Sequence, residues 1–128
     1  MALTLSVLPD RFAICHMSSD AVLPDWALAP PFAAAVRTAD ELSLVCVEAL
    51  VPQQVQAERG WRAIKVQGPL DFALTGVLSS LAAPLAQARI SIFAISTFET
   101  DYLLVKEATL ERALAVLSHA GHRIARAG

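Results

Sequence analysis

The chain has 128 residues, 12 acidic side chains against 10 Lys and Arg, and a formal net charge of -2. Its Lys and Arg are scattered, which removes the electrostatic footprint that nucleic acid or an acidic membrane requires, so neither is an expected partner. Hydrophobic residues make up 55% and charged ones 17%, against about 45–50% and 25% in ordinary domains, and the surplus predicts a surface covered by partner subunits or buried in a thin sheet-helix sandwich, with a homodimer expected.

The opening MALTLSVLPDRFAI lacks the basic segment and apolar core of a signal peptide. The longest uncharged stretch, residues 72–88, contains Pro84, Gln87 and two serines and is too short to cross a bilayer. The expected location is the cytoplasm.

In chain order, LTLSVL (3–8) and RFAICHM (11–17) read as strands. SSDAVLPDWALAPP (18–31) comes next, and its three prolines leave room for one helical turn at most. Trp26 and Phe32 are expected to cover the sheet there. Cys15 and Cys46 sit in the apolar runs ICHM and LVCVE, without CxxC spacing or a nearby helix start, and read as buried small hydrophobes rather than a nucleophile or redox pair. ALVPQQVQAERG (49–60) is again short of helix.

The second half is more regular. WRAIKVQ (61–67) alternates as a half-buried strand and is closed by Gly68-Pro69. Leu74, Val77, Leu78, Leu81 and Leu85 recur at helical spacing and predict an amphipathic helix of about four turns, with Pro84 kinking it or lying near its middle. ISIFAIS (90–96) and DYLLVK (101–106) predict a hairpin. Leu110, Ala113, Leu114 and Leu117 form the apolar face of a second helix that Gly121 stops, and HRIARA (122–127) supplies a last strand. This order, βαββαβ, is the ferredoxin-like arrangement.

An offset of 59 residues lays AVRTADELSLVCVEA (35–49) on AISTFETDYLLVKEA (94–108) and LTLSVL on RAIKVQ (62–67). One register serving two elements points to internal repetition, although two copies are fewer than an array needs. The chain therefore divides into 1–60, a degenerate helix-poor module, and 61–128, a complete one. The fold class is α+β.

Candidate chemistry lies at two places. Thr75-Gly76-Val77 opens the first helix, whose leading N–H groups lack internal partners and carry partial positive charge, and a glycine there lets a carboxylate approach them. Equally, Thr75 can simply cap the helix while Gly76 packs tightly. In a βαββαβ module the first and third strands are neighbours, which brings Thr97, Phe98 and Asp101 near those amides. Together they offer donors, an anion and an aromatic wall suited to a free amino acid; alternatively residues 99–101 form an ordinary solvated turn. No catalytic triad, nucleophile elbow or phosphate-binding loop is present in the sequence, the His119-x-x-His122 pair straddles a helix stop, and neither a catalytic residue, a metal nor a cofactor is expected.

Residues 60–107, GWRAIKVQGPLDFALTGVLSSLAAPLAQARISIFAISTFETDYLLVKE, resemble the ACT domain family, specifically the CASTOR-type branch that includes the cytosolic arginine sensors of animal cells. LSVLPDRFAI (5–14) resembles the start of small bacterial members. The resemblance implies tandem ACT-like modules, an effector amino acid bound where modules meet, and no enzymatic activity. It implies Thr75, Gly76 and Val77 as grips for the amino acid's own carboxylate and amine, and Thr97, Phe98 and Asp101 as contacts for its side chain. The sequence departs from the arginine-sensor pattern at Leu74, where those sensors carry an acid, which opens the site to a smaller or apolar amino acid. The expected function is that of a non-enzymatic, amino-acid-binding regulatory protein, with a ligand-free interaction module as the alternative.

Overall fold

The structure is a computed structural model that describes residues 1–71 and 73–125. Two compact units emerge from it, residues 10–61 and residues 1–9 with 62–128. Strands β1 (Thr4–Met17) and β4 (Ala57–Val66) contribute residues to both. The strands expected at 3–8 and 11–17 are thus one strand of 14 residues.

The unit of residues 10–61 has no α-helix among its described residues. Strands β2 (Ala34–Arg37) and β3 (Leu42–Val47) pair as an antiparallel hairpin, and β3 pairs in turn with β1. Because side chains alternate across a strand, Ala13 and Cys15 of β1 share a face with Leu44 and Cys46 of β3. These four are buried with Ala27, Leu42 and Val51, and Trp26 packs against the cluster. Phe32 meets Phe12 edge to face, with ring centroids 5.8 Å apart. Both cysteines are free and buried, as their apolar surroundings predict. The Cys46 thiol is pushed up, first by its hydrogen bond to Cys15 and then by burial.

The other unit is ferredoxin-like. It runs β4, α1 (Val77–Gln87), β5 (Phe93–Ser96), β6 (Asp101–Lys106), α2 (Leu110–His119) and β7 (Arg123–Ala125). A 3-10 turn, Glu107–Thr109, leads into α2. Ile64, Val66, Leu103 and Val105 of the sheet, with Leu5 of β1, face Leu81 and Leu85 of α1 and Leu110, Ala113, Leu114 and Leu117 of α2 in one buried cluster.

Two further local expectations change. The strand predicted from Ile90 begins at Phe93, because Ile90 turns inward: its N–H closes on the Leu85 carbonyl and its side chain enters the core. The helix predicted from Leu74 begins at Val77 and has 11 residues, because Gly76 takes a left-handed φ of 80° that no helix propagates. The last strand pairs in parallel with β1, so residues 4–6 lie between it and β4, and the order within this unit is β7-β1-β4-β6-β5. Residues 126 and 127 of that expected strand lie outside the described residues. No helix among the described residues is long and apolar enough to cross a membrane.

Candidate functional site

The neighbouring positions of β4 and β6 bring the 97–100 turn against the loop that leads into α1. Two hydrogen bonds fasten them. The Leu70 N–H donates to the Glu99 carbonyl at 2.7 Å, and the buried Thr100 hydroxyl donates to the Val66 carbonyl at 2.7 Å. Gly68 makes the close approach possible, since a Cβ there would lie 3.0 Å from the Glu99 oxygen and 3.1 Å from Thr100 Cβ.

Between turn and helix start lies a cleft of about 270 Å³. Its helix side carries Gly76 and Val77, and its turn side carries Thr97, Phe98 and Asp101. Gly76 is the N-cap, and no side chain caps the helix. The amides at the beginning of α1 have no acceptor four residues back within the helix, so they present donors and partial positive charge to whatever enters. Asp101 is half-buried at the first position of β6, paired in register with Ser96. Phe98 is 80% exposed.

Of the six residues singled out in the sequence, Gly76, Val77, Thr97, Phe98 and Asp101 line this one cleft, and Thr75 lies outside its lining. Thr75 also does not cap the helix, because the left-handed Gly76 occupies that position. Thr97 shapes the turn as well as lining the cleft: its hydroxyl donates to the Thr100 carbonyl at 3.0 Å and accepts from the Thr100 N–H at 3.3 Å.

Sequence reasoning does not single out Asp71, which also lines the cleft. Its carboxylate accepts the Ala73 N–H at 2.8 Å, folding the loop just before the helix. An Asp two residues after a Gly-Pro pair is a recognisable turn former, so the signal is there in the sequence. Leu74, the position of departure from the arginine-sensor pattern, lines the cleft at 45% exposure. With Asp71, Glu99 and Asp101 the described lining has three carboxylates and no basic side chain. The cleft therefore combines a donor-rich floor, an acidic side and an apolar rim.

His119 and His122 do not stand together as a ligand pair. His119 is exposed, whereas His122 is buried with both ring nitrogens at backbone groups.

A family model described as the ACT domain matches residues 56–119. This chain belongs to the ACT domain family. A second family model, described as an N-terminal domain, matches residues 10–54 of this ACT protein. The human cytosolic arginine sensor for mTORC1 subunit 1 is 41% identical over 58 residues, a stretch covering 44% of the chain and 18% of the sensor. The match thus spans less than a fifth of that curated relative. A crystal structure of a protein from Agrobacterium tumefaciens is similar at a TM-score of 0.94 and 37% identity, covering 100% of this chain and 96% of that one. The regulatory subunit of aspartate kinase from Thermus flavus shares the fold at a TM-score of 0.63 and 11% identity, over 94% of this chain and 99% of its own. The chain is thus an ACT domain protein, similar over part of its length to a cytosolic arginine sensor.

Proposed function

We propose that the protein is a non-enzymatic regulator that binds one free amino acid in the cleft between the α1 N-terminus and the 97–100 turn. One observation carries the reading: an uncapped helix start at a left-handed glycine shares a cleft with a half-buried carboxylate and an exposed aromatic ring. The amides at Gly76 and Val77 suit an α-carboxylate, an anion that a helix N-terminus stabilises by about 0.3–1 kcal/mol. Asp101 suits an ammonium or guanidinium group, and Phe98 suits the aliphatic part of the ligand. The 41% identity to part of an arginine sensor supports an amino acid as the ligand class.

Calorimetry against the twenty amino acids tests this. The expected result is binding of one or a few of them, weakened at least tenfold by Asp101→Ala and by Gly76→Val. Absence of binding at millimolar ligand removes the reading.

The second reading is an interaction module in which the same surface meets a protein. Leu74, Leu78 and Phe98, exposed at 45%, 39% and 80%, form the apolar rim that favours it. In either case we take the rim as the face covered in a homodimer, and the cytoplasm as the compartment. A sedimentation experiment that finds only monomer at high concentration, with Phe98→Ser unchanged from it, overturns the dimer.

A further inference from the structure

His122 is a buried ionisable side chain that the proposed site leaves unused. It lies after α2, just before β7, and is 5% exposed. The Leu3 N–H donates to its Nδ1 at 3.1 Å. An accepting Nδ1 leaves the ring hydrogen on Nε2, and Nε2 lies 3.1 Å from the Ser80 carbonyl. The ring thus takes a hydrogen bond from β1's approach and gives one to α1.

The carbonyl it reaches has a particular need. In an α-helix the oxygen of residue 80 is bonded by the N–H of residue 84. Residue 84 is a proline inside the helix, so that donor does not exist. The proline ring also crowds the carbonyl four residues earlier and turns it away from the helix axis. A buried carbonyl left without a partner costs about 1–3 kcal/mol.

We infer that His122 is the surrogate donor for the rung that Pro84 deletes and, through it, a positioning residue for the cleft. Ser80 links the two. Its N–H donates to the Gly76 carbonyl at 3.0 Å and its hydroxyl to the Val77 carbonyl at 2.7 Å, so the residue held by the imidazole also holds Gly76 and Val77, two of the residues on the helix side of the cleft. On the far side, the Arg123 N–H returns to the Leu3 carbonyl at 2.8 Å, which fastens the ring's other partner to β7. One imidazole therefore ties the opening turn of α1 to Leu3, just ahead of β1, and through it to β7. The donor role stands by itself; the role in ligand binding rests on the reading proposed above.

The test is a double-mutant cycle on the full chain. His122→Leu removes the donor, and Pro84→Ala restores a backbone N–H able to take its place. Urea unfolding should show His122→Leu destabilising the protein, and destabilising it distinctly less when Pro84→Ala is also present. His122→Gln, which carries both a donor and an acceptor, should retain most of the stability. Nitrogen NMR of the wild-type imidazole should show a protonated Nε2 and an unprotonated Nδ1. Amide exchange at residues 77–80 should quicken about tenfold in His122→Leu and return toward wild type in the Pro84→Ala double variant. The affinity of whichever amino acid binds the wild type should fall and recover in the same order, whereas the loss in Asp101→Ala should not recover with Pro84→Ala. Equal costs of His122→Leu in the two backgrounds overturn the surrogate role. Unchanged exchange at 77–80 overturns the positioning role. If no amino acid binds the wild type, the ligand reading fails while unfolding and exchange still decide these two.

Discussion

At the residue scale, the cleft depends on residues that set the backbone around it. Gly68 is one: Gly68→Ala would press a methyl onto the Glu99 backbone oxygen at 3.0 Å, and the forced shift should cost about 1–3 kcal/mol, read as a lower urea midpoint with unchanged slope. Thr100 is another. Thr100→Val keeps the volume but leaves the Val66 carbonyl without its 2.7 Å partner in a buried place, a loss of about 1–3 kcal/mol, whereas Thr100→Ser should recover most of it. Away from the cleft, the Ser18 hydroxyl donates to the Asp20 carboxylate at 2.6 Å and holds that carboxyl below its ordinary value. Since the folded pKa is the lower one, the contribution is present above about pH 4 and is lost as pH falls through the folded value. Ser18→Ala should therefore make stability less steep below about pH 4 by chemical denaturation.

At the element scale, the repeat is more regular in the structure than in the letters. Shifting β2, β3 and the 3-10 turn at Glu48–Leu50 by 59 positions gives β5, β6 and the turn at Glu107–Thr109, ends included. The pairing Ala34 with Val45 becomes Phe93 with Leu104, and Arg37 with Leu42 becomes Ser96 with Asp101. Even the turn bonds agree: the Thr38 N–H donates to the Glu41 carbonyl at 2.9 Å, and the Thr97 N–H to the Thr100 carbonyl at 2.8 Å. In each turn the threonine hydroxyl also accepts backbone N–H groups, those of Asp40 at 3.1 Å and Glu41 at 3.2 Å at Thr38 and that of Thr100 at 3.3 Å at Thr97. Thr38→Ala and Thr97→Ala should therefore each destabilise the protein by about 0.5–1.5 kcal/mol, the net value of such side-chain bonds, and only the second should also weaken ligand binding in calorimetry. The hairpins are legible in the sequence because strand periodicity and a shared threonine survive together. The start of α1 is not, because Leu74 keeps the helical spacing while Gly76 leaves the helical conformation, and periodicity carries no information on φ. Ile90 misleads for a related reason: an apolar residue fits a strand pattern and a core plug equally well.

At the scale of the whole molecule, what the sequence hides is long-range pairing. The cleft residues can be found because Gly76, Thr97 and Asp101 announce themselves by type and by the order βαββαβ. Nothing local announces that β7 pairs with β1, since a three-residue strand has too little pattern to specify its neighbour. Leu5 bears the consequence. It is fully buried in the core of the unit that holds the cleft, although the rest of that unit resumes only at Arg62, after the chain has completed the unit of residues 10–61. Leu5→Ala should cost about 2–5 kcal/mol, and hydrogen exchange should quicken in residues 62–125 more than in 10–61.

The matched turns also give the protein an internal blank. Ala39 and Phe98 occupy equivalent places in two turns of the same hydrogen-bonded form, and of the two Phe98 lines the candidate cleft. A fluorine reporter installed at each would sample the same solvent, temperature and tumbling within one polypeptide. A metabolite that moves the signal at 98 and leaves the one at 39 in place has been recognised by the cleft, and one that moves both has merely altered the medium.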